Sequence, residues 1–171
     1  MSSQKVGPTI ADDIKRSAVW SIIAGLLVIF LYILIRFRKW QFGFGAVIAL
    51  FHDVIITLGC FSLFHGFLPF ALEVDQAFIS AILTIIGYSI NDTVVIFDRI
   101  REYMGLYKKR AVDDLMNSAI NMTMSRTINT SLTVLFVLLA IFIFGGEVIR
   151  SFSFALIIGV IAGTYSTVFV A

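Results

Sequence analysis

The sequence predicts an all-α, multi-pass membrane protein with about five transmembrane helices. Of its 171 residues, 59% are hydrophobic and 14% are charged, and the mean hydropathy is +0.97. Soluble domains average about 45 to 50% apolar and about 25% charged residues. The apolar residues also occur in long runs, and a helix needs about 20 of them to cross about 30 Å of hydrocarbon. Five runs qualify, at residues 17–35, 42–64, 77–97, 127–144 and 152–171.

Aromatic residues bound the first predicted span. Trp20 and Trp40 are separated by one span length, about 30 Å in a helix, which is the distance between the aromatic belts at the two membrane surfaces. Residues 1–16 precede this span and form a hydrophilic segment. Because the first apolar run is of span length, it does not indicate a cleavable signal peptide.

Basic residues predict the orientation of the spans, since Lys and Arg concentrate in cytoplasmic loops. The connections after the first and third spans hold nine of the 13 basic residues, and the opposite connections hold only Arg150. Segment 1–16 is therefore predicted outside, and the fifth span ends inside. Since an outer amino terminus normally follows an upstream span, we expect the chain to be part of a longer protein. The nine residues are Arg36, Arg38, Lys39, Arg99, Arg101, Lys108, Lys109, Arg110 and Arg126.

The connection at 98–126, between the third and fourth spans, has an amphipathic pattern. Apolar residues recur at helical spacing between positions 112 and 120, beside a basic triplet at 108–110 and two acids at 113 and 114. This pattern predicts an amphipathic helix. It would lie along the inner membrane surface with the triplet near anionic lipid headgroups, or dock on its own bundle with its charged face in solvent.

A carboxylate at membrane depth is the most informative feature of the third span. Insertion scales put the penalty for a central Asp at roughly 2.5 to 3.5 kcal/mol, so Asp92 is expected to have a partner, a proton or an aqueous cavity, and a function. Steps of three and four residues place it near one polar face of the helix. That face comprises Ser80, Thr84, Gly87, Tyr88, Asn91, Asp92 and Arg99.

The fourth span carries a second polar face, which begins at Arg126 and continues through Asn129, Thr130 and Thr133. Antiparallel packing would bring Arg126 level with Asp92. A pair that can separate gives an acid whose proton affinity changes with conformation, so the pair predicts proton coupling. Asn91, Tyr88 and Thr130 would then form a supporting polar network. The alternative is a static ion pair that only holds the two helices together.

His52 and Asp53 lie about halfway along the second span. Neighbouring residues of a helix point about 100° apart, so these two cannot share a face, and Asp53 is predicted to face the bundle. Both are interpreted as support for the polar network rather than as proton carriers. On the fifth span, Gly159 and Gly163 have the small-x-x-x-small spacing of closely packed membrane helices.

Several other chemistries have no motif in this sequence. It contains no phosphate-binding glycine loop with Lys and Ser/Thr, no Cys/His cluster with metal-ligand spacing and no arrangement typical of a nucleophilic enzyme. The net charge of +2 gives no indication of nucleic-acid binding. The sequence therefore predicts a protein that is not an enzyme and binds no metal, cofactor or nucleic acid.

Five motifs resemble the SecF family of bacterial protein-export components, including the SecF half of fused SecDF chains. The third-span motif is long and specific, and the resemblance covers nearly the whole chain. The motifs are Val6-Gly7-Pro8 before the first span, Arg36 to Trp40 after it, Ala49 to Val54 in the second, Gly87 to Glu102 in the third, and Arg126 to Ser131 opening the fourth.

This resemblance implies part of a resistance-nodulation-division fold, in which SecF packs pseudosymmetrically on SecD with six spans in each half. The resemblance also leads us to expect that the first span, the periplasmic domain and a short carboxyl-terminal tail of a complete SecF lie outside this sequence. The resemblance also implies that Asp92, in the Asn-Asp-Thr motif, and Arg126 form the functional pair. The implied partners are SecD, separate or fused, the SecYEG translocon, the translocating polypeptide, protons and membrane lipids.

The function implied is use of the proton motive force to promote protein translocation across the bacterial inner membrane. Two alternatives remain open from the sequence. One is a proton-driven exporter of small molecules from the same superfamily. The other is a structural scaffold subunit, in which the polar residues only fix helix packing.

Overall fold

The computed structural model describes residues 8–171, and over that range it forms five α-helices joined by short connections. All five helices are long and apolar enough to cross a membrane. The predicted all-α bundle of five spans is confirmed, while Val6 and Gly7 of the first motif lie outside the described residues. The helices are α1 Pro8–Phe37, α2 Trp40–Phe64, α3 Gln76–Leu106, α4 Val112–Phe144 and α5 Glu147–Phe169.

Helix α5 lies at the centre of the bundle, where it packs against α2, α3 and α4. Half of its apolar window is buried, compared with 6% for that of α1. Small residues explain this position, because Ala155, Gly159, Ala162 and Gly163 let neighbouring backbones approach closely. Helix α1 packs at the edge, against α2 and α3.

Two apolar clusters fill the interior of the bundle, and polar residues separate them. One cluster includes Ile82, Ile85 and Val160, and the other includes Ile96 and Phe97. Between the two clusters, α3 contributes the buried residues Ser89, Asp92 and Thr93, and α5 contributes the buried residues Ser166 and Thr167. The polar side chains thus lie inside the bundle, with apolar packing above and below them.

Helices α3 and α4 both extend beyond the apolar spans predicted from the sequence. Helix α3 has 31 residues, about 46 Å at 1.5 Å per residue, which exceeds the hydrocarbon thickness. Residues 112–126 form the first turns of α4 and not a separate helix along the membrane surface. Leu115 and Ala119 are buried against the bundle, which corresponds to the docked placement. No helix breaker interrupts this segment, so the helix continues without a new nucleation step.

The connection between α1 and α2 consists of Arg38 and Lys39. Arg38 has a φ of 56°, in the left-handed region, and its backbone N–H donates to the carbonyl of Leu34 at 2.9 Å. This conformation ends α1 and reverses the chain within two residues.

A polar clamp at the same end of the bundle joins α1 to α3. Arg36 donates to Asp98 at 2.9 Å, and Arg101 donates to the carbonyl of Arg36 at 2.8 Å. Both guanidinium carbons lie 5.4 Å from the centre of the Phe37 ring. We call Arg36, Asp98 and Arg101 the α1–α3 clamp.

Candidate functional site

The polar residues of α3 divide between two faces of the helix. Asp92 is buried together with Ser89 and Thr93, and Tyr88 is half-buried. Asn91 is exposed. The single polar face predicted from the sequence is therefore two faces, because adjacent positions such as 91 and 92 point about 100° apart. The exposed polar face consists of Ser80, Thr84, Gly87 and Asn91.

Asp53 on α2 is the centre of a buried hydrogen-bond network and is 0% exposed. Its Oδ2 atom accepts a 2.7 Å hydrogen bond from the hydroxyl of Ser89 on α3. Its Oδ1 atom lies 3.2 Å from Nδ1 of His52, which is half-buried at the edge of α2. Both carboxylate oxygens therefore have partners, and His52 contacts Asp53 although the two side chains leave α2 in different directions.

Helix α5 packs against this network at Gly163. A Cβ atom at Gly163 would lie 3.2 Å from Oγ of Ser89 and 3.5 Å from Oδ2 of Asp53. One turn further along both α3 and α5, the Thr93 and Thr167 hydroxyls lie 3.2 Å apart. The absence of a side chain at Gly163 thus allows α5 to lie directly over the bond between α2 and α3.

A second polar cluster joins α3, α4 and α5. The Tyr88 hydroxyl donates to Oγ of Ser131 at 3.2 Å, and the Thr164 hydroxyl lies 2.7 Å from the same oxygen. Tyr88 was predicted as part of the network, whereas Ser131 and Thr164 were not assigned a role. This cluster fixes the contacts between helices on the other side of α3 from Asp53.

Asp92 differs from Asp53 in its hydrogen bonding. The residue is 3% exposed, and its Oδ2 atom is buried without a hydrogen-bond partner in the part of the chain that the structure describes. A buried carboxylate oxygen without a partner is unfavourable by several kcal/mol unless it binds a proton or a cation. Asp92 is therefore a buried acid that the fold leaves chemically available.

Arg126 lies close enough to Asp92 for its charge to act on that carboxylate, and the functional pairing of the two residues stays a prediction. The two side chains form no salt bridge within residues 8–171, and Arg126 is exposed on α4. The adjacent Thr127 is buried, and its hydroxyl also lacks a partner among the described residues. The acid and the base thus lie near each other without contact in this conformation.

The remaining predicted site residues form no hydrogen bond or salt bridge with the Asp92 or Arg126 side chains in the described part of the chain. The Thr130 hydroxyl lies 3.0 Å from the carbonyl oxygens of Arg126 and Thr127, which is local backbone bonding within α4. The Asn91 side chain forms no hydrogen bond within the described chain. Thr130 and Asn91 therefore belong to the helix surface and not to the internal network.

Sequence reasoning missed Ser89, although a signal for it was present. Ser89 precedes Asp92 by three residues, which places both on the same face of α3. It also missed the polar residues of α5, where Thr164, Ser166 and Thr167 interrupt an otherwise apolar span. Ser166 is fully buried and donates to the carbonyl of Gly163 at 3.2 Å. A run of hydroxyl residues in a membrane helix indicates an interhelical contact.

Metal binding has no support in this arrangement. Among the residues that the structure describes, no group of three His, Cys, Asp or Glu side chains could hold a metal ion. The site offers a buried carboxylate, Asp92, near the exposed guanidinium of Arg126.

Five apolar helices packed around polar side chains at membrane depth define a polytopic α-helical membrane protein. The chain belongs to the SecD/SecF family of protein-export membrane proteins: the family model described as the C-terminal part of protein export membrane protein SecD/SecF matches residues 1–171.

Individual relatives agree with this family. The protein translocase subunit SecF of Rhodothermus marinus is 63% identical over 166 residues, covering 97% of this chain and 54% of the relative. The SecF subunit of Rhodobacter capsulatus is 48% identical over 170 residues, covering 99% of this chain and 49% of the relative. The chain thus spans about half the length of the curated relatives it matches.

The fold also matches solved structures. The crystal structure of SecDF, a translocon-associated membrane protein from Thermus thermophilus, superposes with a TM-score of 0.85 at 44% identity. A super-membrane-facing form of SecDF gives a TM-score of 0.83 at 42% identity. These matches cover 96% of this chain and 22% and 21% of the SecDF chains, respectively.

Proposed function

We propose that this chain forms the membrane part of a SecF-type subunit that uses the proton motive force to promote protein translocation, with Asp92 as the proton-binding group and Arg126 as the charge that modulates it. One observation carries the proposal. Of the two buried acids, Asp53 has hydrogen bonds to both carboxylate oxygens, whereas Asp92 has a buried oxygen without a partner.

The contrast between the two acids separates a structural role from a functional one. Asp53 is held by side chains on both sides and joins three helices, as a static element would. Asp92 can gain a proton or the Arg126 guanidinium without breaking any existing side-chain bond at Oδ2. A carboxylate that alternates between these two states changes its charge during a conformational cycle.

The exposed polar groups of α3 and α4 support SecD as the partner. Ser80, Thr84 and Thr133 satisfy their hydroxyls with carbonyls one turn earlier in their own helices. The Asn91 side chain is also exposed, within the predicted span 77–97, but has no such internal partner in the described chain. Polar groups facing hydrocarbon are unfavourable, so we propose that a SecD half, separate or fused, covers this face.

The remaining assignments follow from the family. We propose a bacterial inner-membrane location with the amino-terminal end of the fragment on the periplasmic side and the carboxyl-terminal end in the cytoplasm. The SecYEG translocon and the translocating polypeptide are the proposed partners of the complete protein. The relatives named above are translocase subunits, which favours protein over small molecules as the exported substrate.

The test uses the full-length parent protein in cells depleted of their own SecDF. Secretion of a reporter precursor is compared between the wild type and Asp92→Asn, which keeps the shape of the side chain but cannot exchange a proton. We expect export to fall to the level of the depleted cells, with normal membrane levels and normal SecD association. Accumulation of secretory precursors, without new sensitivity to toxic small molecules, would identify protein as the substrate.

Asp113→Asn is the matched control, since it makes the same chemical change at an exposed position that forms no salt bridge in the described chain. We expect it to leave export close to that of the wild type. Normal export by a well-assembled Asp92→Asn protein would reject proton coupling at this residue. If Asp92→Asn loses SecD association, and the remaining assembled complex exports normally, the scaffold role is favoured instead.

A further inference from the structure

An apolar crevice opens beside the connection between α1 and α2. It has a volume of about 270 Å³ and lies among this connection, the inner half of α3, the first turns of α4 and the end of α5. Its wall is formed mainly by Phe42, Ile96, Ile100 and Met104, while Lys39 lies at its edge. The crevice therefore combines an apolar interior with one cationic group.

Lys39 has no acidic partner within residues 8–171. The acids nearest to this end of the bundle are already engaged, since Asp98 binds Arg36 and Arg101, and Glu102 binds Arg99. Asp113 and Asp114 follow the crevice residue Val112 in the sequence, but neither forms a salt bridge in the described chain. Lys39 is thus available to an anion from outside the protein.

We propose that this crevice binds an anionic phospholipid, with an acyl chain in the apolar groove and the phosphate at the Lys39 ammonium. Charge complementarity favours this occupant, because three basic residues, Lys39, Arg38 and Arg110, lie in the crevice or within two residues of its lining, against the two acids Asp113 and Asp114. Trp40, which follows Lys39, is 61% exposed and is typical of the lipid headgroup region.

A second crevice in the same protein is apolar and serves for comparison, because no basic side chain lines it. It has a volume of about 320 Å³ between α4 and α5 and is lined by residues such as Ile128, Leu132 and Ile161, with no basic side chain. It offers nothing to select the charge of a headgroup. The proposed site differs from it by Lys39, and it does not depend on proton coupling at Asp92.

Trp40 provides a built-in reporter for the test. The chain has two tryptophans, so Trp20→Phe leaves Trp40 as the only one. This variant is reconstituted in phosphatidylcholine vesicles that contain either brominated phosphatidylglycerol or brominated phosphatidylcholine at equal mole fraction. We expect the brominated phosphatidylglycerol to quench Trp40 fluorescence at a lower mole fraction than brominated phosphatidylcholine does.

Lys39→Gln in the Trp20→Phe background should reduce this preference about fivefold, the effect expected for one lysine near an anionic surface. Lys108→Gln makes the same charge change at an exposed position outside the crevice and should keep most of the preference. Met116→Phe, which adds volume to the crevice wall, should weaken quenching by the anionic lipid without a change in charge.

Three results would overturn the site. Equal quenching by the two brominated lipids would show that no anionic lipid is selected. Equal loss of preference in Lys39→Gln and Lys108→Gln would indicate diffuse attraction to the basic surface. Loss of the preference in the full-length parent protein would show that protein, and not lipid, occupies the crevice.

Discussion

The Ser89 hydroxyl donates a 2.7 Å hydrogen bond to Oδ2 of Asp53 and thereby links α3 to α2 inside the bundle. Both residues are at most 1% exposed. Ser89 lies one turn before Asp92 on the same face of α3. The bond therefore helps to set the rotation of α3 about its axis, and with it the direction in which the Asp92 carboxylate points.

The first prediction concerns the strength of this bond. Ser89→Ala removes the donor and leaves a buried carboxylate oxygen without its partner, so we expect the free energy of unfolding in detergent to fall by about 1 to 3 kcal/mol. In combination with Asp53→Asn, the loss should be smaller than the sum of the two single losses, because the two side chains interact directly. Chemical denaturation of all four proteins of this cycle measures the coupling.

Ser80→Ala is the matched control on the same helix. The Ser80 hydroxyl is exposed and bonds only to the carbonyl of Gln76 in its own helix, so its loss should change the free energy of unfolding by less than about 0.5 kcal/mol. If Ser89→Ala and Ser80→Ala lowered the free energy of unfolding equally, a structural role for the buried hydrogen bond would be contradicted.

The second prediction concerns the close approach of α5 to α3. In Gly163→Ala, the new methyl group would lie 3.2 Å from Oγ of Ser89 and disturb the Asp53 network, so we expect a loss of about 1 to 3 kcal/mol in the free energy of unfolding. Gly25→Ala on α1 meets no atom within 4 Å and should instead stabilise its helix by about 0.5 to 1 kcal/mol. Thermal unfolding in detergent compares the two variants.

The distinguishing result is a free energy of unfolding that falls in Gly163→Ala and rises in Gly25→Ala. If Gly163→Ala is as stable as Gly25→Ala, then α5 does not lie as close to Ser89 as described. Gly159→Ala extends the test along the helix, since its methyl group would collide with the side chain of Ile85. We expect it to be destabilised as well.

The third prediction concerns the turn between α1 and α2. Arg38 has a φ of 56°, which is unfavourable by about 1 to 2 kcal/mol for a residue with a side chain. Arg38→Gly should therefore keep or raise the free energy of unfolding, whereas the β-branched Arg38→Val should lower it by about 1 to 2 kcal/mol. Lys39→Val is the control, because Lys39 has an extended backbone with a φ of −133°. An Arg38→Val protein as stable as Lys39→Val would exclude the left-handed turn.

The number of helices could be predicted from the sequence because it depends on local composition, whereas the depth of Asp92 in the membrane stays a prediction. Runs of apolar residues identify spans, and one acid within such a run is conspicuous. The partner of each polar residue could not be predicted in this way. Helical spacing groups Asn91 with Asp92, yet one is exposed and the other is buried. The difference arises from the packing of α5 against α3, which depends on contacts between residues distant in sequence, such as Ser89 and Gly163.

The amphipathic segment at 112–120 illustrates the same limit. Its pattern indicated a helix with one apolar face, and the pattern is the same whether that face meets lipid or protein. Burial of Leu115 and Ala119 against the bundle, and continuity with the rest of α4, are consequences of tertiary packing. The sequence alone left both placements open for this reason.

The last prediction concerns the α1–α3 clamp at the membrane boundary. Asp98 and Arg36 side chains are more than one third exposed, so water and salt screen their attraction, and exposed pairs contribute only about 0.2 to 1 kcal/mol. We expect Asp98→Asn to lower the free energy of unfolding within that range, and 1 M salt to reduce the difference, because the screening length is then about 3 Å. Glu102→Gln is the control, since its pair with Arg99 lies within α3 and joins no second helix. A loss well above about 1 kcal/mol that does not respond to salt would mean that the clamp is shielded from solvent, as it would be if the Arg36–Asp98 pair were covered by a partner.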